Sequence, residues 1–435
     1  MLNRLLCAAI FACAPVTFAQ TLHRSGPAAD RLDLVILADG YRAGDRDDFE
    51  AEADRVLDAL RSTEPFASYM PLMNVHRGFR ASGSSGSSAN NAYGTQFSGG
   101  FFSSRLRASR VTLLLADAVR AGGEADAVLV ILNASRRGGT ATGNTCYVSS
   151  GAGARVALHE LGHAIGRLGD EYSSFSGTPT LTRAQLAQIY PNLTTESTRA
   201  RLPWSDWVAS STRVPATLFT SGVSAYSGGG AYSNGIYRPR RSCRMRTDTP
   251  GYCEVCRQHL VVAIHRRANP LRLQVTGSGS SRRARLVGSM PDSAWATRWS
   301  GVQGQGLEAR VPAGVNASVV VEDRTPWVRG GALRATLRYR FDARTGAGGP
   351  VAGGGTTQIG RVVGVSSRLR VRQRPTTASS ILGHLLPGAT VQVLGPAEGG
   401  FYPIAWNGGT GYVGRNFVSL QSSAVGLTSV VGRWR

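Results

Sequence analysis

Two histidines four positions apart, His159 and His163, form the pattern H-E-x-x-H with Glu160 between them. On a helix, side chains four residues apart project from the same face, so both imidazoles can reach one metal ion. Zinc accepts imidazole ligands, and a nearby carboxylate can take a proton from the water that the ion activates. The spacing therefore predicts a zinc site with His159 and His163 as ligands and Glu160 as general base.

The third ligand of such an ion must come from the residues beyond the motif. Two acidic residues, Asp170 and Glu171, follow Gly166 and Gly169. On an unbroken helix Asp170 would lie about 16 Å further along the axis than His159, too far to share an ion. We therefore expect the helix to end near one of the glycines, so that the chain folds back. Asp170 is the predicted third ligand, Glu171 is the alternative, and a further alternative is that both acids only stabilise the turn.

The elements that position this site alternate between strands and helices along the chain. The predicted strands are 32–38, 72–79, 127–132 and a short candidate edge strand at 145–149; the predicted helices are 47–60, 111–120, 154–168 and 254–268. This order resembles the upper half of a zincin peptidase. An edge strand before the metal helix would offer unpaired backbone groups to an extended peptide substrate.

Several motifs accompany the metal helix in a fixed order. They are 33–41, 90–94, 159–172, 235–239, 242–245 and 252–256. Together they resemble the immunoglobulin A peptidase-like zinc metallopeptidases of the zincin clan, in which Asp-Glu-Tyr also follows H-E-x-x-H. The resemblance implies one catalytic Zn²⁺, an endopeptidase reaction, and His159, His163 and Asp170 as ligands. It does not imply that immunoglobulin is the substrate.

Three further residues are candidates for supporting the site. The segment 242–245 is interpreted as a Met-turn, in which the Met245 thioether forms an apolar floor beneath the metal. Tyr237 and Tyr252 are candidates for hydrogen bonding to the oxyanion that forms when water attacks a carbonyl. The alternative is that both tyrosines, and the methionine, are ordinary structural residues.

The N-terminus predicts export. Residues 1–19 have a charged start, a short apolar run and small residues before a cleavage position after Ala19, as in a secretory signal peptide. Lipid attachment at Cys13 is an alternative that fits the sequence less well. The apolar run is too short to span a bilayer, and we find no transmembrane segment further along the chain. We expect a periplasmic or extracellular protein.

Four cysteines remain after the predicted cleavage: Cys146, Cys243, Cys253 and Cys256. An even number in an oxidising compartment suggests two disulfides, with three possible connectivities. A structural zinc site made of the four cysteines is the alternative.

The chain carries a formal charge of +22, and all of its basic side chains except histidine are arginine. Such a charge favours contact with acidic surfaces, but a compositional bias toward arginine is the preferred explanation. No basic run with interleaved aromatic residues is present, so the sequence indicates no specific nucleic-acid partner.

The expected fold class is α+β. We predict a zincin-type metallopeptidase domain at 20–270, a small β-sandwich-like domain at 271–345, a Gly-rich linker at 346–359, a third domain at 360–421 and a tail at 422–435. The third domain resembles a bacterial SH3-like β-barrel. Such domains often hold cell-wall peptides or other proteins, which would raise the effective concentration of the peptidase near its substrate.

The predicted function is a secreted zinc-dependent endopeptidase that hydrolyses peptide bonds of proteins. One alternative is a hydrolase of cell-wall peptides, which the SH3-like domain would target to the wall. Another is a surface-binding protein without catalytic activity. The expected partners are a protein or peptide substrate and a cell-wall or surface polymer.

Overall fold

The computed structural model describes residues 18–99, 104–122, 124–247, 251–268, 270–277, 282–312, 315–341, 348–350, 358–363, 365, 368–394, 397–398, 400–406 and 409–420. The predicted signal peptide therefore lies outside the described residues except for Phe18 and Ala19. Cys13 and the predicted tail also lie outside them. None of the described helices is long and apolar enough to cross a membrane.

The N-terminal region is built on a sheet that has six strands within the described residues. In chain order, the strands of this region up to the metal helix are β1 (Phe18–His23), β2 (Leu32–Asp39), β3 (Met73–Phe79), β4 (Gln96–Phe97), β5 (Leu106–Arg107), β6 (Ala127–Leu132), β7 (Gly139–Thr142) and β8 (Thr145–Ser149). The order across the sheet is β1-β3-β2-β6-β8-β7, and β4 pairs only with β5. The four inner strands are parallel, whereas β1 and β7 run antiparallel to their neighbours.

Helices cover both faces of this sheet. They are α1 (Arg46–Ser62), α2 (Phe66–Tyr69), α3 (Val111–Gly122), α4 (Gly153–Gly166) and α6 (Glu254–Arg267), whereas α5 (Arg183–Ile189) belongs to a separate small core. Side chains alternate across a strand, so Leu34 and Ile36 enter the core that contains α1 and α4, while Val35 and Leu37 enter the core that contains α3. This two-sided burial explains why β2 and β6 are continuous apolar runs in the sequence.

The edge of the sheet differs from the prediction. Thr145–Ser149 is not an edge strand: as β8 it pairs with β6 on one side and with β7 on the other, and all of its residues are buried. The edge is Gly139–Thr142, a short polar strand without an apolar alternation by which sequence analysis could detect it.

Asp39, at the carboxyl end of β2, organises the Gly- and Ser-rich segment that follows β3. Its Oδ1 accepts a hydrogen bond from the backbone N–H of Tyr93 (3.1 Å), and its Oδ2 accepts one from that of Thr95 (2.8 Å). Ser82 also donates its hydroxyl to Oδ1. Hydrogen bonds from N–H groups stabilise a buried carboxylate. Two motifs that are distant in the sequence, 33–41 and 90–94, therefore meet at this side chain.

A smaller three-stranded sheet follows α4. It contains β9 (Ser173–Phe175), β10 (Tyr226–Gly229) and β11 (Ala231–Arg238) in the order β10-β11-β9. Its small core joins Leu186 of α5 to Leu193 and Ile236. This part of the chain flanks the residues that come directly after the metal helix.

Two antiparallel sheets follow α6, each with four strands within the described residues. The strands are β12 (Leu271–Thr276), β13 (Arg283–Gly288), β14 (Trp295–Ser300), β15 (Gly304–Gln305), β16 (Glu308–Arg310), β17 (Asn316–Asp323), β18 (Arg334–Phe341) and β19 (Gly348–Pro350). Their orders are β12-β13-β16-β15 and β14-β17-β18-β19. β19 falls inside the segment predicted as a linker, 346–359.

The apolar core of these two sheets is continuous with that of the N-terminal region. Asp323, at the end of β17, is buried between the two parts. Its Oδ2 accepts a hydrogen bond from the hydroxyl of Tyr69 (2.6 Å) and lies 3.0 Å from Nε2 of His265 on α6. The side chains of His265 and Asp323 are fully buried. The contact between His265 and Asp323 is therefore part of the apolar core that the two parts of the chain share.

The C-terminal region forms a sheet of its own, with seven strands within the described residues. They are β20 (Gln358–Val362), β21 (Leu369–Arg372), β22 (Ile381–Leu385), β23 (Thr390–Val393), β24 (Phe401–Trp406), β25 (Gly409–Gly414) and β26 (Val418–Leu420). The order is β22-β21-β25-β24-β23-β20-β26. Val371, Val393, Ile404 and Val413 are among the buried residues of its separate core.

Replacing Asp323 tests the contact between the two parts. Burial alone would raise the pKa of Asp323, but hydrogen bonds from His265 and Tyr69 outweigh it and hold the pKa below its usual value. We expect Asp323→Asn to lower the free energy of unfolding by roughly 2–4 kcal/mol at pH 7, measured by urea denaturation. Because the pKa is depressed, this difference should be present above about pH 4 and shrink as the pH falls through the folded pKa.

The exposed pair Arg285–Asp292 (3.0 Å) offers a matched control. Asp292→Asn should change the free energy of unfolding by less than about 1 kcal/mol. Equal effects of the two substitutions would contradict a buried network at Asp323.

Candidate metal centre

The metal motif lies in the second half of α4, and the chain reverses directly after this helix. Arg167 adopts a left-handed conformation (φ 54°), and its N–H bonds back to the carbonyls of Gly162 and His163. The N–H of Leu168 also bonds to the carbonyl of Gly162 (3.2 Å). The bond from Arg167 to His163, made by a residue in the left-handed conformation, is that of an αL-type C-cap. The helix thus ends at Gly166 as expected, but the left-handed residue is an arginine and not a glycine.

The two glycines of this turn are required for packing instead. A Cβ atom on Gly169 would lie 2.6 Å from Leu193 Cδ1 and 2.7 Å from Tyr190 Cγ, and a Cβ on Gly166 would lie 3.0 Å from Leu260 Cδ2. Contacts under 3.0 Å force a rearrangement of the neighbours. Gly169 therefore allows the returning chain to lie close to the segment that follows α5, and Gly166 allows the end of α4 to lie close to α6.

The reversal brings the three predicted ligands together. Asp170 Oδ1 lies 3.0 Å from His159 Nε2 and 3.2 Å from His163 Nε2. The two Nε2 atoms are 3.2 Å apart. The three side chains are half-buried and present one donor atom each to a common point.

Backbone carbonyls orient both imidazole rings. His159 Nδ1 lies 2.8 Å from the carbonyl oxygen of Arg244, and His163 Nδ1 bonds to that of Leu168. A carbonyl only accepts hydrogen bonds, so each Nδ1 carries a proton, and each Nε2 is the atom whose lone pair would bind a metal ion. In metal-ligating histidines, the ring nitrogen that does not bind the ion typically donates a hydrogen bond to an acceptor such as a carbonyl.

The donor set fits a tetrahedral zinc ion. Zn–N and Zn–O distances of about 2.0–2.1 Å imply separations of about 3.3–3.4 Å between neighbouring ligands of a tetrahedron. The three distances of 3.0–3.2 Å are close to this value. Two imidazole nitrogens and a carboxylate oxygen this close together need a proton or a cation between them. Three protein ligands also leave one position for water or substrate.

Electrostatics couples the three groups. Burial lowers the pKa of His163, but the hydrogen bond and the charge of Asp170 outweigh it and raise that pKa to about 9. Burial would raise the pKa of Asp170, and the two histidines instead hold it well below its usual value. The carboxylate is therefore ionised, as a metal ligand must be.

Tyr172 holds the other oxygen of this carboxylate. Its hydroxyl donates a hydrogen bond to Asp170 Oδ2 (2.9 Å), which leaves Oδ1 directed at the histidines. The ring is 37% exposed, so it borders the open side of the site. In the sequence, Tyr172 is the last residue of the Asp-Glu-Tyr motif, and no role is predicted for it. Its position two residues after a predicted ligand is the signal that could have indicated a role in holding that ligand.

Glu160 lies on the same helix, beside the edge strand. A Cβ atom on Gly139 of β7 would lie 2.5 Å from Glu160 Oε1, so the carboxylate lies directly against the strand backbone. Burial raises the pKa of Glu160 above its ordinary value, and electrostatic interaction with the neighbouring His163 and His159 lowers it in part. The glutamate is thus a desolvated carboxyl group in a site that favours proton transfer.

Met245 packs against the helix that carries the two histidines. It is fully buried, and a Cβ on Gly162, which lies between the two histidines, would be 2.7 Å from its sulfur. The preceding residue of the same turn, Arg244, provides the carbonyl that orients His159. The turn therefore supports the site through both its backbone and its thioether.

The two tyrosines proposed for the oxyanion differ. Tyr252 is wrong for this role: it is fully buried and its hydroxyl donates to the carbonyl of Leu158, because the ring packs behind α4 against Gly162 and not in the cleft. Tyr237 lies half-buried on β11, where its backbone pairs with Thr194. Its role in oxyanion binding stays a prediction.

Glu171 does not join the histidines. Its side chain turns to the opposite side of the chain and lies, fully buried, among Cys243, Cys253 and Cys256. Neighbouring residues in an extended segment point to opposite faces, so Asp170 and Glu171 cannot both face the same ion. The structure brings Asp170, and not the alternative, to the histidines.

The expected pair of disulfides is not formed. All four cysteines of the described chain are free and buried. Three of them gather around Glu171, while Cys146 lies in the middle of β8 and takes no part in that cluster. Three cysteines cannot all pair with one another, which is why an even count misled the prediction.

A glutamate beside two histidines on one helix, with a carboxylate from the following turn, is the arrangement expected of a metallopeptidase. Residues 20–221 match the family model of the IgA peptidase M64 family, and residues 367–419 match that of the bacterial SH3 domain. The family resemblance inferred from the motifs is thereby confirmed for these parts of the chain. Peptidases of this family are metallopeptidases, so the match implies a peptidase. The matched segment ends before Met245 and the three clustered cysteines.

No curated protein matches the chain. Among solved structures, the chain is similar to one titled "Structure of NlpC2 from Trichomonas vaginalis", with 11% identity and a TM-score of 0.15. The match covers 36% of this chain and 51% of that chain, so it spans about half the length of the solved structure. A likeness this weak informs neither fold nor function.

Removing the hydroxyl of Tyr172 tests the support of Asp170. We expect Tyr172→Phe to weaken zinc binding about 10–100-fold, since partners that orient metal ligands typically contribute this much. The measurement is a competition titration with a chromogenic chelator. Tyr232→Phe, on the adjacent small sheet, is the matched control and should leave the affinity unchanged. Equal affinities of Tyr172→Phe and the wild type would show that the bond does not position the ligand.

Proposed function

We propose that the protein is a secreted zinc-dependent endopeptidase that hydrolyses peptide bonds of proteins. The observation that carries the proposal is the convergence of His159 Nε2, His163 Nε2 and Asp170 Oδ1 within 3.2 Å of one another. The family match at 20–221 supports the peptidase class. The predicted signal peptide supports export.

Within this proposal His159, His163 and Asp170 hold the ion. When bound, Zn²⁺ polarises the scissile carbonyl and lowers the pKa of water. Glu160 takes the proton from the attacking water as its oxygen bonds to the carbonyl carbon. Glu160 then delivers that proton to the amide nitrogen as the C–N bond breaks, so that the amine leaves neutral.

Within this proposal an extended substrate lies between β7 and the small sheet. On one side, β7 lies against Glu160. The outer edge of β7 is bordered at its first residue by Ser104, whose carbonyl accepts a hydrogen bond from the N–H of Gly139 (3.2 Å). On the other side, the small sheet begins directly after Tyr172. A peptide between these two walls would place its carbonyl near both Glu160 and the ligand atoms.

The rest of the architecture fits the same proposal. The six-stranded sheet with α4 corresponds to the upper half of a zincin, and the two four-stranded sheets after α6 correspond to a small β-sandwich. We place the domains at 20–270, 271–350 and 360–421. This boundary extends the sandwich over β19.

The bacterial SH3 match favours a second candidate, a hydrolase of cell-wall peptides. Domains of this kind fit a role in binding the wall, which would bring the site to that substrate. Parallel digests of a protein mixture and of purified cell walls separate the two. Cleavage of proteins alone favours the first candidate, and release of wall peptides alone favours the second.

Glu160→Gln tests the assigned base. The amide keeps the size of the side chain but cannot take a proton, so we expect kcat to fall at least about 100-fold while zinc remains bound. The measurement is cleavage of a peptide library, together with metal content by mass spectrometry. Glu308→Gln, at an exposed position on β16, should retain full activity. Substantial activity in Glu160→Gln would remove this residue from the mechanism.

Asp170→Ala tests the third ligand. The variant should lose the catalytic zinc, because two histidines alone do not hold the ion tightly. Zinc occupancy and activity are measured side by side, with Asp292→Ala as an exposed control. If Asp170→Ala binds zinc at this site as the wild type does, another residue is the ligand.

A further inference from the structure

A second cluster of metal-ligating side chains lies behind the candidate metal centre. Cys243, Cys253, Cys256 and Glu171 each place one ligand atom within 4.8 Å of all the others. The four residues are at most 5% exposed. Two of the cysteines have the Cys-x-x-Cys spacing at the start of α6, a spacing that recurs in structural zinc sites.

The carboxylate of Glu171 is the unexplained member of this cluster. Its Oε1 receives hydrogen bonds from Asn192 Nδ2 (3.1 Å) and from the thiol of Cys256 (3.1 Å). Its Oε2 has no hydrogen-bond partner among the described residues, although the side chain is fully buried. A buried carboxyl group with an oxygen that lacks a partner is unfavourable. A cation at the centre of the cluster would remove this cost.

Disulfide formation does not account for the cluster. One disulfide among three cysteines would leave the third thiol and the carboxylate buried together. Cys146, the remaining described cysteine, belongs to β8 and not to this group. The guanidinium of the nearby Arg238 donates hydrogen bonds to the carbonyls of Ser227 and Gly228. These bonds therefore do not supply a partner for the Glu171 carboxylate.

The separations agree with a tetrahedral site. With Zn–S distances of about 2.3 Å and Zn–O distances of about 2.1 Å, neighbouring S and O ligands are about 3.6 Å apart. Glu171 Oε1 lies 3.1 Å from Cys256 Sγ and 4.0 Å from Cys253 Sγ. The first distance is shorter than the expected separation, and the second is longer. The backbone N–H of Cys253 points at Cys243 Sγ (3.2 Å), as N–H groups often do toward metal-bound sulfur.

We propose that Cys243, Cys253, Cys256 and Glu171 bind a second, structural Zn²⁺. The four ligands close the coordination shell, so this ion has no open position for catalysis. On binding, the three thiols release their protons to solvent and the carboxylate binds in its ionised form.

The position of this ion connects the parts that build the candidate metal centre. Glu171 follows the ligand Asp170, and its N–H donates to the carbonyl of Met245 (2.7 Å). Cys243 precedes Arg244, whose carbonyl orients His159. Cys253 and Cys256 begin α6, which packs against α4. The structural ion would therefore fix the turn after α4, the Met-turn and α6 relative to one another.

Metal content combined with X-ray absorption tests the proposal. We expect about two zinc ions per wild-type chain. His163→Ala should retain about one, with zinc–sulfur scattering at about 2.3 Å. Cys256→Ser should lose this sulfur-rich signal, whereas Cys146→Ser, at a buried cysteine outside the cluster, should retain both ions.

Two results would overturn the site. One is a His163→Ala protein that folds without zinc or shows only nitrogen and oxygen scattering. The other is a disulfide between two of the three cysteines, detected by mass spectrometry of unreduced peptides. If Cys256→Ser does not fold, the wild type and His163→Ala still decide the question. Activity is not a readout here, so failure of the proposed peptidase function would leave this test intact.

Discussion

The structure depends on the return of the chain after α4, which places a carboxylate oxygen against two imidazole nitrogens. Asp170 Oδ1 lies 3.0 and 3.2 Å from the Nε2 atoms of His159 and His163. No helical spacing can produce this arrangement, because eleven residues of helix would separate the ends by about 16 Å. The left-handed conformation at Arg167 and the close packing permitted by Gly169 make the reversal possible.

Other parts of the molecule hold these three groups in place. The carbonyls of Arg244 and Leu168 fix the histidine rings, and Tyr172 fixes the carboxylate. The Met-turn that contains Arg244 is joined to the returning chain by the bond from Glu171 to Met245. Behind it, the buried cysteine cluster lies where three segments meet. The site is thus preorganised by backbone groups, which are less free to move than side chains.

Much of this could be predicted from the sequence, because it rests on periodicity and spacing. β2 and β6 are apolar runs buried on both faces, and the strand 127–132 was predicted with its observed bounds. The histidine pair follows from the helical repeat. Asp170 was placed by combining helix length with a family resemblance, and the geometry agrees with that choice over Glu171.

The remaining features depend on three-dimensional packing that leaves no local pattern. The edge strand Gly139–Thr142 is short and polar, so the apolar strand next to it was mistaken for the edge. Tyr252 was assigned to the cleft because sequence does not say on which side of α4 a residue lies. The cysteines were paired by their even number, whereas Cys146 lies in the sheet and the other three surround Glu171.

The central claim is that His159, His163 and Asp170 hold one metal ion in common. A crystal structure of the zinc-loaded protein, with anomalous data collected on either side of the zinc absorption edge, tests it most directly. The account predicts an anomalous peak about 2.0–2.1 Å from the Nε2 atoms of both histidines and from Asp170 Oδ1. A zinc-loaded crystal with no peak between these three atoms, or with a peak that Asp170 does not contact, would contradict it.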